Sequence, residues 1–190
     1  TPINTLNRNS MNISIEKKKF SEAVYTTARF AQRKNNTLPA LSSILIIAAA
    51  DGIKMRATNL ETGIDLKLEG ECKTQGVVAL PAALLQQIAG SLTQEGKITL
   101  EHIGDIVLLS TGTGKSSIKT VPYDDFPSIP FPENSKNRIV LPGVLLKNLF
   151  TTIASCASNS TVRPELASIY LSIEGGVLTA VATDSFRLAE

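Results

Sequence analysis

An internal repeat constrains the fold of this chain more than any other feature of its sequence. A short alternating apolar segment runs into a helix-like segment three times, at 13–16, 78–81 and 139–142, with spacings of about 65 and 61 residues. In the second and third copies Pro81 or Pro142 stands where the helix would begin, a position that tolerates its missing N–H and fixed φ. A repeat of this length sets the architecture, because each copy is one supersecondary unit that must pack against another.

Each copy continues with one apolar helix face and then with two alternating segments joined by a tight turn, which is the pattern of a β-hairpin. The hairpins are predicted over 45–58, 98–111 and 169–183. Each of them ends in a threonine that is followed by a short turn and one further strand. The repeat unit is therefore β-α-β-β-β, which indicates an α+β chain with helices on one face of antiparallel sheets.

The first and third copies match without a gap, and this match predicts the domain boundaries. Five residues recur 125 positions later, namely Pro39, Leu41, Ser43, Ala57 and Thr58 as Pro164, Leu166, Ser168, Ala182 and Thr183. Two units then form one domain over 11–131, and residues 138–190 are expected to be the first half of a second domain, cut short at Glu190. Between them, 132–137 are predicted to be a polar linker after a proline-rich segment.

Composition excludes several classes of protein. Of 190 residues, 43% are hydrophobic and 19% charged, which is typical of a soluble globular chain, and the net charge of +2 does not by itself indicate a nucleic-acid binder. Cys72 and Cys156 match no metal-binding spacing, and no segment has the length of a membrane span or the pattern of a signal peptide. We therefore expect a cytoplasmic protein. Residues 1–10 are polar and precede Met11, a candidate natural start, so they are expected to be a disordered extension or a cloning remnant.

Three segments match catalytic or ligand-binding motifs only in part. The segment 112–116 reads GTGKS, yet a phosphate-binding loop needs a glycine where Leu109 stands and a following helix, whereas the repeat places this segment between two strands. His102 is the only histidine, which excludes multi-histidine metal sites and leaves no hydrolytic triad. Asp124 and Asp125 are adjacent, so an extended chain points their carboxylates apart. We predict no catalytic residue, no cofactor and no metal.

Five short motifs follow one another along the repeat. They lie at 11–15, 37–41, 80–82, 124–127 and 183–189 and read MNISI, TLPAL, LPA, DDFP and TDSFRLA. In this order they resemble the bacterial DNA polymerase III β subunit, the sliding clamp, over 11–190. The resemblance implies a DNA-clamp fold with three two-unit domains per subunit, of which this chain would supply the first and half of the second, with the third absent.

The resemblance also implies a function. Two full-length subunits of that family close head to tail into a homodimeric ring around double-stranded DNA, with helices lining the hole. The ring tethers the polymerase III α subunit, the clamp loader and other proteins with clamp-binding motifs, and it does so as a non-catalytic processivity factor. Such a ring needs only modest phosphate contacts without sequence readout. The alternative is a repeat-built protein-binding scaffold without a DNA function, which would lack a coherent basic helix face.

Candidate DNA-binding residues follow from the same resemblance. They are Arg29, Arg33, Lys34, Asn35 and Lys147. Family members carry a basic residue near Asn35, in the loop after the first helix, while Lys17–Lys19 open that helix. In the second domain Glu165 stands beside Pro164 where the family has tyrosines, and its charge would repel phosphate. The alternative for the basic residues is an ordinary solvated helix face.

A partner-peptide pocket is also implied by the resemblance, in which apolar side chains of short linear peptides insert between the second and third domains. The matching residues are Arg163, Leu166, Thr183, Phe186, Arg187 and Leu188. An apolar pocket with a few polar groups suits such anchors. Ser185 replaces a glycine that is usual in the family and is expected to restrict the backbone. The alternative is that Leu166 and Leu188 are only strand residues and Arg187 a surface charge.

Overall fold

The computed structural model describes residues 10–32, 38–92, 95–112, 114–124, 126–129 and 139–190. The chain divides into two compact bodies, residues 1–131 and 132–190, which we term the N-terminal module and the C-terminal module. The predicted linker 132–137 and residues 1–9 of the predicted extension lie outside the described residues. Ser10, which the sequence assigned to that extension, instead opens the first strand and pairs with Ile103.

The N-terminal module contains two β-α-β-β-β repeats. Repeat one comprises β1 (Ser10–Glu16), α1 (Lys17–Ala28), a short 3-10 helix (Pro39–Ser42), β2 (Ser43–Ala49), β3 (Gly52–Thr58) and β4 (Gly63–Leu68). A further strand, β5 (Glu71–Thr74), connects it to repeat two, which comprises β6 (Gly76–Pro81), α2 (Ala82–Ser91), β7 (Lys97–Ile103), β8 (Ile106–Thr111) and β9 (Lys115–Lys119). The helices begin directly after the opening strands, as the repeat predicts.

The two repeats exchange their opening strands. The five-stranded sheet has the order β5-β1-β7-β8-β9 and the four-stranded sheet the order β4-β3-β2-β6, with every pair antiparallel. Strand β1 of repeat one therefore lies beside β7 of repeat two, with Ile13 opposite Leu100. Strand β6 of repeat two lies beside β2 of repeat one, with Val78 opposite Ile46. Neither sheet is complete without both repeats.

The main hydrophobic core of the module follows from this exchange. It is lined by both sheets and both helices, and its fully buried side chains include Ile13, Phe20, Ile46, Leu85 and Leu100. The helices pack on each other, and the hydroxyl of Ser21 on α1 donates a hydrogen bond to the Ala89 carbonyl of α2 at 3.2 Å. The two repeats are thus one folding unit.

The outer face of the four-stranded sheet is also covered. Leu45 and Ile47 point away from the main core and pack against Val121, Tyr123 and Phe126. Every residue of β2 is consequently buried, which explains why its sequence, SILIIAA, is almost continuously apolar. The predicted Asp-Asp-Phe-Pro motif thus contributes its phenylalanine to this packing.

The C-terminal module holds the third repeat. It comprises α3 (Gly143–Ile153), a short 3-10 helix (Ala154–Cys156), β10 (Tyr170–Glu174), β11 (Val177–Thr183) and β12 (Leu188–Ala189), in a sheet of order β10-β11-β12. The opening strand predicted at 139–142 is wrong, since these residues form no strand. In the N-terminal module such a segment is a strand only because it pairs with the hairpin of another repeat, and the described part of the C-terminal module contains no second hairpin.

Candidate partner-binding and DNA-binding surfaces

A tight loop between β11 and β12 carries four of the six predicted pocket residues, from Thr183 to Leu188. The hydroxyl of Thr183 accepts the backbone N–H of Ser185 at 3.1 Å and donates to the Arg187 carbonyl at 2.7 Å. Phe186 has 95% of its surface exposed, and Leu188 has 67% exposed. The loop therefore presents two apolar side chains to solvent on a backbone that is held by its own hydrogen bonds.

Asp184 organises this loop, although the sequence did not single it out as a functional residue. One carboxylate oxygen, Oδ1, accepts the backbone N–H groups of Phe186 at 3.0 Å and Arg187 at 2.7 Å. The other, Oδ2, accepts Nε and Nη2 of Arg187 at 3.0 and 2.7 Å. The available sequence signal was the Asp-x-x-Arg spacing, which suits a carboxylate that caps its own turn.

These contacts fix the charges of the loop. The Arg187 side chain, followed by the two backbone N–H groups, lowers the pKa of Asp184 to about 2, and the same carboxylate raises the pKa of Arg187. The ion pair is therefore intact throughout the neutral range. Arg187 is held against Asp184 while 63% of its side-chain surface remains exposed, so it can meet a polar group of a ligand without a change of rotamer.

The equivalent loop of repeat one has the same construction. Thr58 accepts the backbone N–H of Leu60 at 3.0 Å and donates to the Thr62 carbonyl at 2.9 Å. Leu60 and Ser185, which are 125 positions apart, both have a φ of 76°. This left-handed conformation favours glycine, so the expected restriction at Ser185 takes the form of backbone strain.

We expect Ser185→Gly to stabilise the C-terminal module by about 1 kcal/mol, because glycine adopts a positive φ without the Cβ clash. Thermal unfolding followed by circular dichroism would measure the change. Leu60→Gly, at the matching position of the N-terminal module, is the parallel variant, and Ser172→Gly within β10 is a control expected to destabilise. A loss of stability in Ser185→Gly similar to that in Ser172→Gly would contradict the assignment of strain.

Arg163 and Leu166 lie in the turns that precede β10. The Leu166 N–H donates to the Arg163 carbonyl at 3.1 Å, and the Leu166 carbonyl accepts the N–H of Ser158 at 2.8 Å. Leu166 is half-buried and Arg163 exposed. The 3-10 segment is thus joined to the Leu166 turn through Ser158.

A separate apolar groove of about 410 Å³ runs between α3 and β11. Its lining includes Leu145, Leu149, Ile153 and Ala180. None of the six predicted pocket residues, all of which the structure describes, lines it. The sequence indicated this groove only as the apolar stripe of the third helix.

Of the five candidate DNA-binding residues, the structure describes two. Arg29 is exposed directly after the last residue of α1, and Lys147 is exposed on α3 in the other module. Arg33, Lys34 and Asn35 lie outside the described residues. The two described candidates thus belong to different modules, and their common use in DNA binding stays a prediction.

Of the three other basic residues of α1, Lys18 is exposed, and the other two contribute less charge to the surface. Lys17 is buried, and its backbone N–H donates to the Gly96 carbonyl at 2.9 Å. Lys19 pairs with Glu69 at 2.7 Å and with Glu16 at 3.6 Å, and the hydrogen bond to Glu69 is the main cause of its raised pKa. Helix α2, whose sequence is AALLQQIAGS, has no charged residue. The helices of the described chain thus expose few cations.

The partial motifs lie in ordinary β-structure. The GTGKS segment connects β8 to β9, which pair antiparallel with Ser110 opposite Lys115, so no helix follows it; Thr113 lies outside the described residues. His102 is buried in β7, and burial lowers its pKa. Among the described residues, no group of three or more His, Cys, Asp and Glu side chains is placed to hold a metal ion, and no helix is long and apolar enough to cross a membrane.

Comparison with known proteins identifies the family. The sequence-family model for the N-terminal domain of the DNA polymerase III beta subunit matches residues 11–130. The beta sliding clamp of Micrococcus luteus is 30% identical over 179 residues, covering 94% of this chain and 56% of that protein. Crystal structures of the clamps from Pseudomonas aeruginosa and C. crescentus superpose with TM-scores of 0.85 and 0.83 at 25% and 28% identity, covering 94% and 96% of this chain and 48% and 50% of theirs. The chain thus spans about half the length of these relatives. It belongs to the DNA polymerase III beta subunit family, the non-catalytic beta sliding clamps.

Proposed function

We propose that this chain serves as part of a sliding clamp, a ring that encircles duplex DNA and tethers the replicative polymerase and other partners to it. The observation that carries the proposal is the family match over 11–130 together with the strand-exchanged pair of repeats that builds the N-terminal module. The homodimeric ring is also part of the proposal and not a finding, because the chain spans only 48% of the Pseudomonas aeruginosa clamp.

Contact with DNA in this proposal is non-specific and weak. Arg29 and Lys147 are exposed and would meet phosphates, together with Arg33, Lys34 and Asn35, which follow α1 in the sequence. With so few cations, the contact would centre the duplex without arresting it, since each phosphate contact adds a small salt-sensitive increment to affinity.

We expect the 190-residue chain to bind a fluorescent duplex weakly at low salt, with a slope of log affinity against log salt of about −2, as for two or three phosphate contacts. Arg29→Glu should reduce the affinity several-fold and flatten the slope. Lys73→Glu, a charge reversal at an exposed lysine of β5, is the matched control and should leave both unchanged. Fluorescence anisotropy measures affinity and slope together.

A scaffold without a DNA function remains the second candidate, because α2 has no charged side chain and Lys19 is already paired. It predicts that the chain shows no duplex binding even at low salt. Equal losses in Arg29→Glu and Lys73→Glu would also favour it, since binding would then depend on overall charge and not on the helix surface.

The loop at 183–188 is proposed to bind the apolar anchors of short partner peptides, together with Arg163 and Leu166. The support is its construction: Asp184 holds Arg187 and the backbone, while Phe186 stays 95% exposed. The Arg187 side chain, which Asp184 already holds, loses little conformational entropy when a ligand covers it.

We expect Phe186→Ala and Leu166→Ala to weaken binding of a clamp-binding-motif peptide from a polymerase III α subunit by about tenfold each, as for residues at the centre of an interface. Isothermal titration calorimetry would give the affinities. Leu60→Ala, at an exposed leucine in the equivalent loop of repeat one, should have no effect. If Phe186→Ala and Leu166→Ala bound the peptide as tightly as the control Leu60→Ala, the 183–188 loop would not be part of the binding site.

A further inference from the structure

An open cavity of about 370 Å³ lies in the N-terminal module, beside the turn that joins β7 to β8. Its wall is formed by His102 of β7, Val78 of β6 and the residues around the end of β9. We term residues 120–124 the strap, since they run from the end of the five-stranded sheet to the four-stranded sheet. Of the titratable side chains in this wall, only His102 is buried.

Backbone hydrogen bonds tie the strap to both sheets. The N–H of Thr120 donates to the Asp105 carbonyl of the β7–β8 turn at 2.8 Å, and the N–H of Val121 donates to the Ala79 carbonyl of β6 at 2.9 Å. The strap also packs on the outer face of β2 through Val121 and Tyr123. It thus borders the cavity and covers β2 at the same time.

The His102 side chain is buried in a site that does not suit a charge. It is 5% exposed, and its opposite neighbours in the sheet are Met11 of β1 and Val107 of β8. Neither ring nitrogen makes a hydrogen bond of ordinary geometry with the described residues. Burial lowers the pKa of His102, and the backbone of Gly104 opposes this fall only in part. A neutral imidazole therefore tolerates this site much better than an imidazolium does.

The charged groups that line the cavity lie on its solvent side. The β7–β8 turn contributes Asp105, and the chain from the end of β9 contributes Lys119, Asp124 and the phenol of Tyr123. Asp105, Lys119 and Asp124 are exposed. The strands β1, β6 and β8 face the imidazole with apolar side chains. Two carboxylates against one ammonium make this rim net negative, so an imidazolium is stabilised by moving from the buried face toward the rim.

We propose that protonation of His102 opens the strap, so that mildly acidic solution uncovers the outer face of β2. The imidazole takes up a proton from solvent, and the resulting cation moves toward Asp105 and Asp124 at the rim. This movement displaces the strap, because the other walls of the cavity belong to paired strands and their turn. Leu45 and Ile47 of β2, which the closed strap covers, then become accessible.

His102 determines the pH dependence that we expect between pH 5 and pH 7. It is the only histidine in the chain, and histidine is the side chain whose ordinary pKa of about 6.5 lies in this range. Because the pKa of His102 is lowered in the folded chain, the closed strap binds the proton less well than the open strap. The contribution of the neutral imidazole to closure is therefore fully present above about pH 6.5. It weakens as the pH falls below that value, by at most about tenfold per pH unit in the opening equilibrium.

Hydrogen exchange of the 190-residue chain at several pH values tests the proposal, after correction for the intrinsic exchange rate of each amide. The amides of Thr120 and Val121 are expected to exchange faster than those of β3, and their protection should fall by about tenfold between pH 7 and pH 5. His102→Leu should remove this pH dependence. Glu101→Gln is the matched control, because Glu101 is the exposed neighbour of His102 in β7, and this variant should keep the dependence.

Proton NMR of the unmodified chain gives a second readout that does not depend on whether His102→Leu folds. The signal of its single imidazole Cε1–H should titrate with a midpoint below about 6.5, and a midpoint at or above that value would overturn the proposal. Strap amides that exchange no faster than those of β3 at every pH would also overturn it, since the strap would then open only when the whole module unfolds. A pH dependence that persisted in His102→Leu would refute the assignment to this residue.

Discussion

Replacing Gly76 with alanine is expected to lower the free energy of unfolding of the N-terminal module by about 3 kcal/mol, at the upper end of the usual cost of overpacking. A Cβ on this residue would collide with the carbonyl oxygen of Ser10 and lie 3.0 Å from the Cβ of Met11. The backbone of Ser10 and Met11 cannot shift easily to relieve this clash, because these residues pair with Ile103 and His102 in the five-stranded sheet. The glycine is needed where the opening strands of the two repeats pass each other.

Urea unfolding followed by circular dichroism would measure this loss. Gly112→Ala is the control for the intrinsic effect of the added methyl group, since a Cβ at Gly112 meets nothing within 4 Å and its φ is not positive. The two variants should differ by most of the predicted 3 kcal/mol. If they unfolded at the same urea concentration, the close passage of β1 and β6 would not constrain residue 76.

Phe20→Ala is expected to cost about 3–5 kcal/mol, the usual range for removing a buried phenylalanine side chain. Phe20 on α1 is completely buried in the core to which both repeats contribute. Because that core is shared, the lost packing should destabilise repeat two as much as repeat one. The N-terminal module should therefore unfold in a single transition, at a lower denaturant concentration.

Native-state hydrogen exchange would show whether the loss is shared. Amides of β8, which lies in repeat two, should lose as much protection in Phe20→Ala as amides of β3 in repeat one. Leu84→Ala, at a 45% exposed leucine of α2, should change the stability by no more than about 0.5 kcal/mol. Protection that persisted in β8 while β3 opened would show that the repeats unfold separately.

The helices and hairpins could be predicted from the sequence because the same pattern of apolar residues and turns occurs three times along the chain. The strand β5 could not, since Glu-Cys-Lys-Thr has one apolar residue and becomes a strand only by pairing with β1. The strand predicted at 139–142 failed for the complementary reason, because it has the pattern but no hairpin to pair with among the described residues. Alternation reports which face of a strand is buried, and it does not report which strand lies beside it.

The candidate surfaces show the same limit. That residues 183–188 lie together could be predicted from the sequence, because they are contiguous. Their loop is held by hydrogen bonds among its own residues. The pairing of Lys19 with Glu69 could not be predicted, because the two residues are fifty positions apart and meet only when β4 and α1 pack together. The lysines that open α1 therefore contribute less exposed positive charge than their number in the sequence suggests.

The exchange of opening strands has a consequence for the order in which the N-terminal module forms during synthesis. Ile13 in β1 pairs with Cys72 and with Leu100, so both of its neighbours leave the ribosome long after β1 itself. The β2–β3 hairpin, by contrast, closes around a local turn and needs no later residue. Sequence-distant pairing of this kind slows folding. One edge of β1 can therefore pair with β5 once residue 74 has been translated, but its other edge stays unpaired until β7 has been translated.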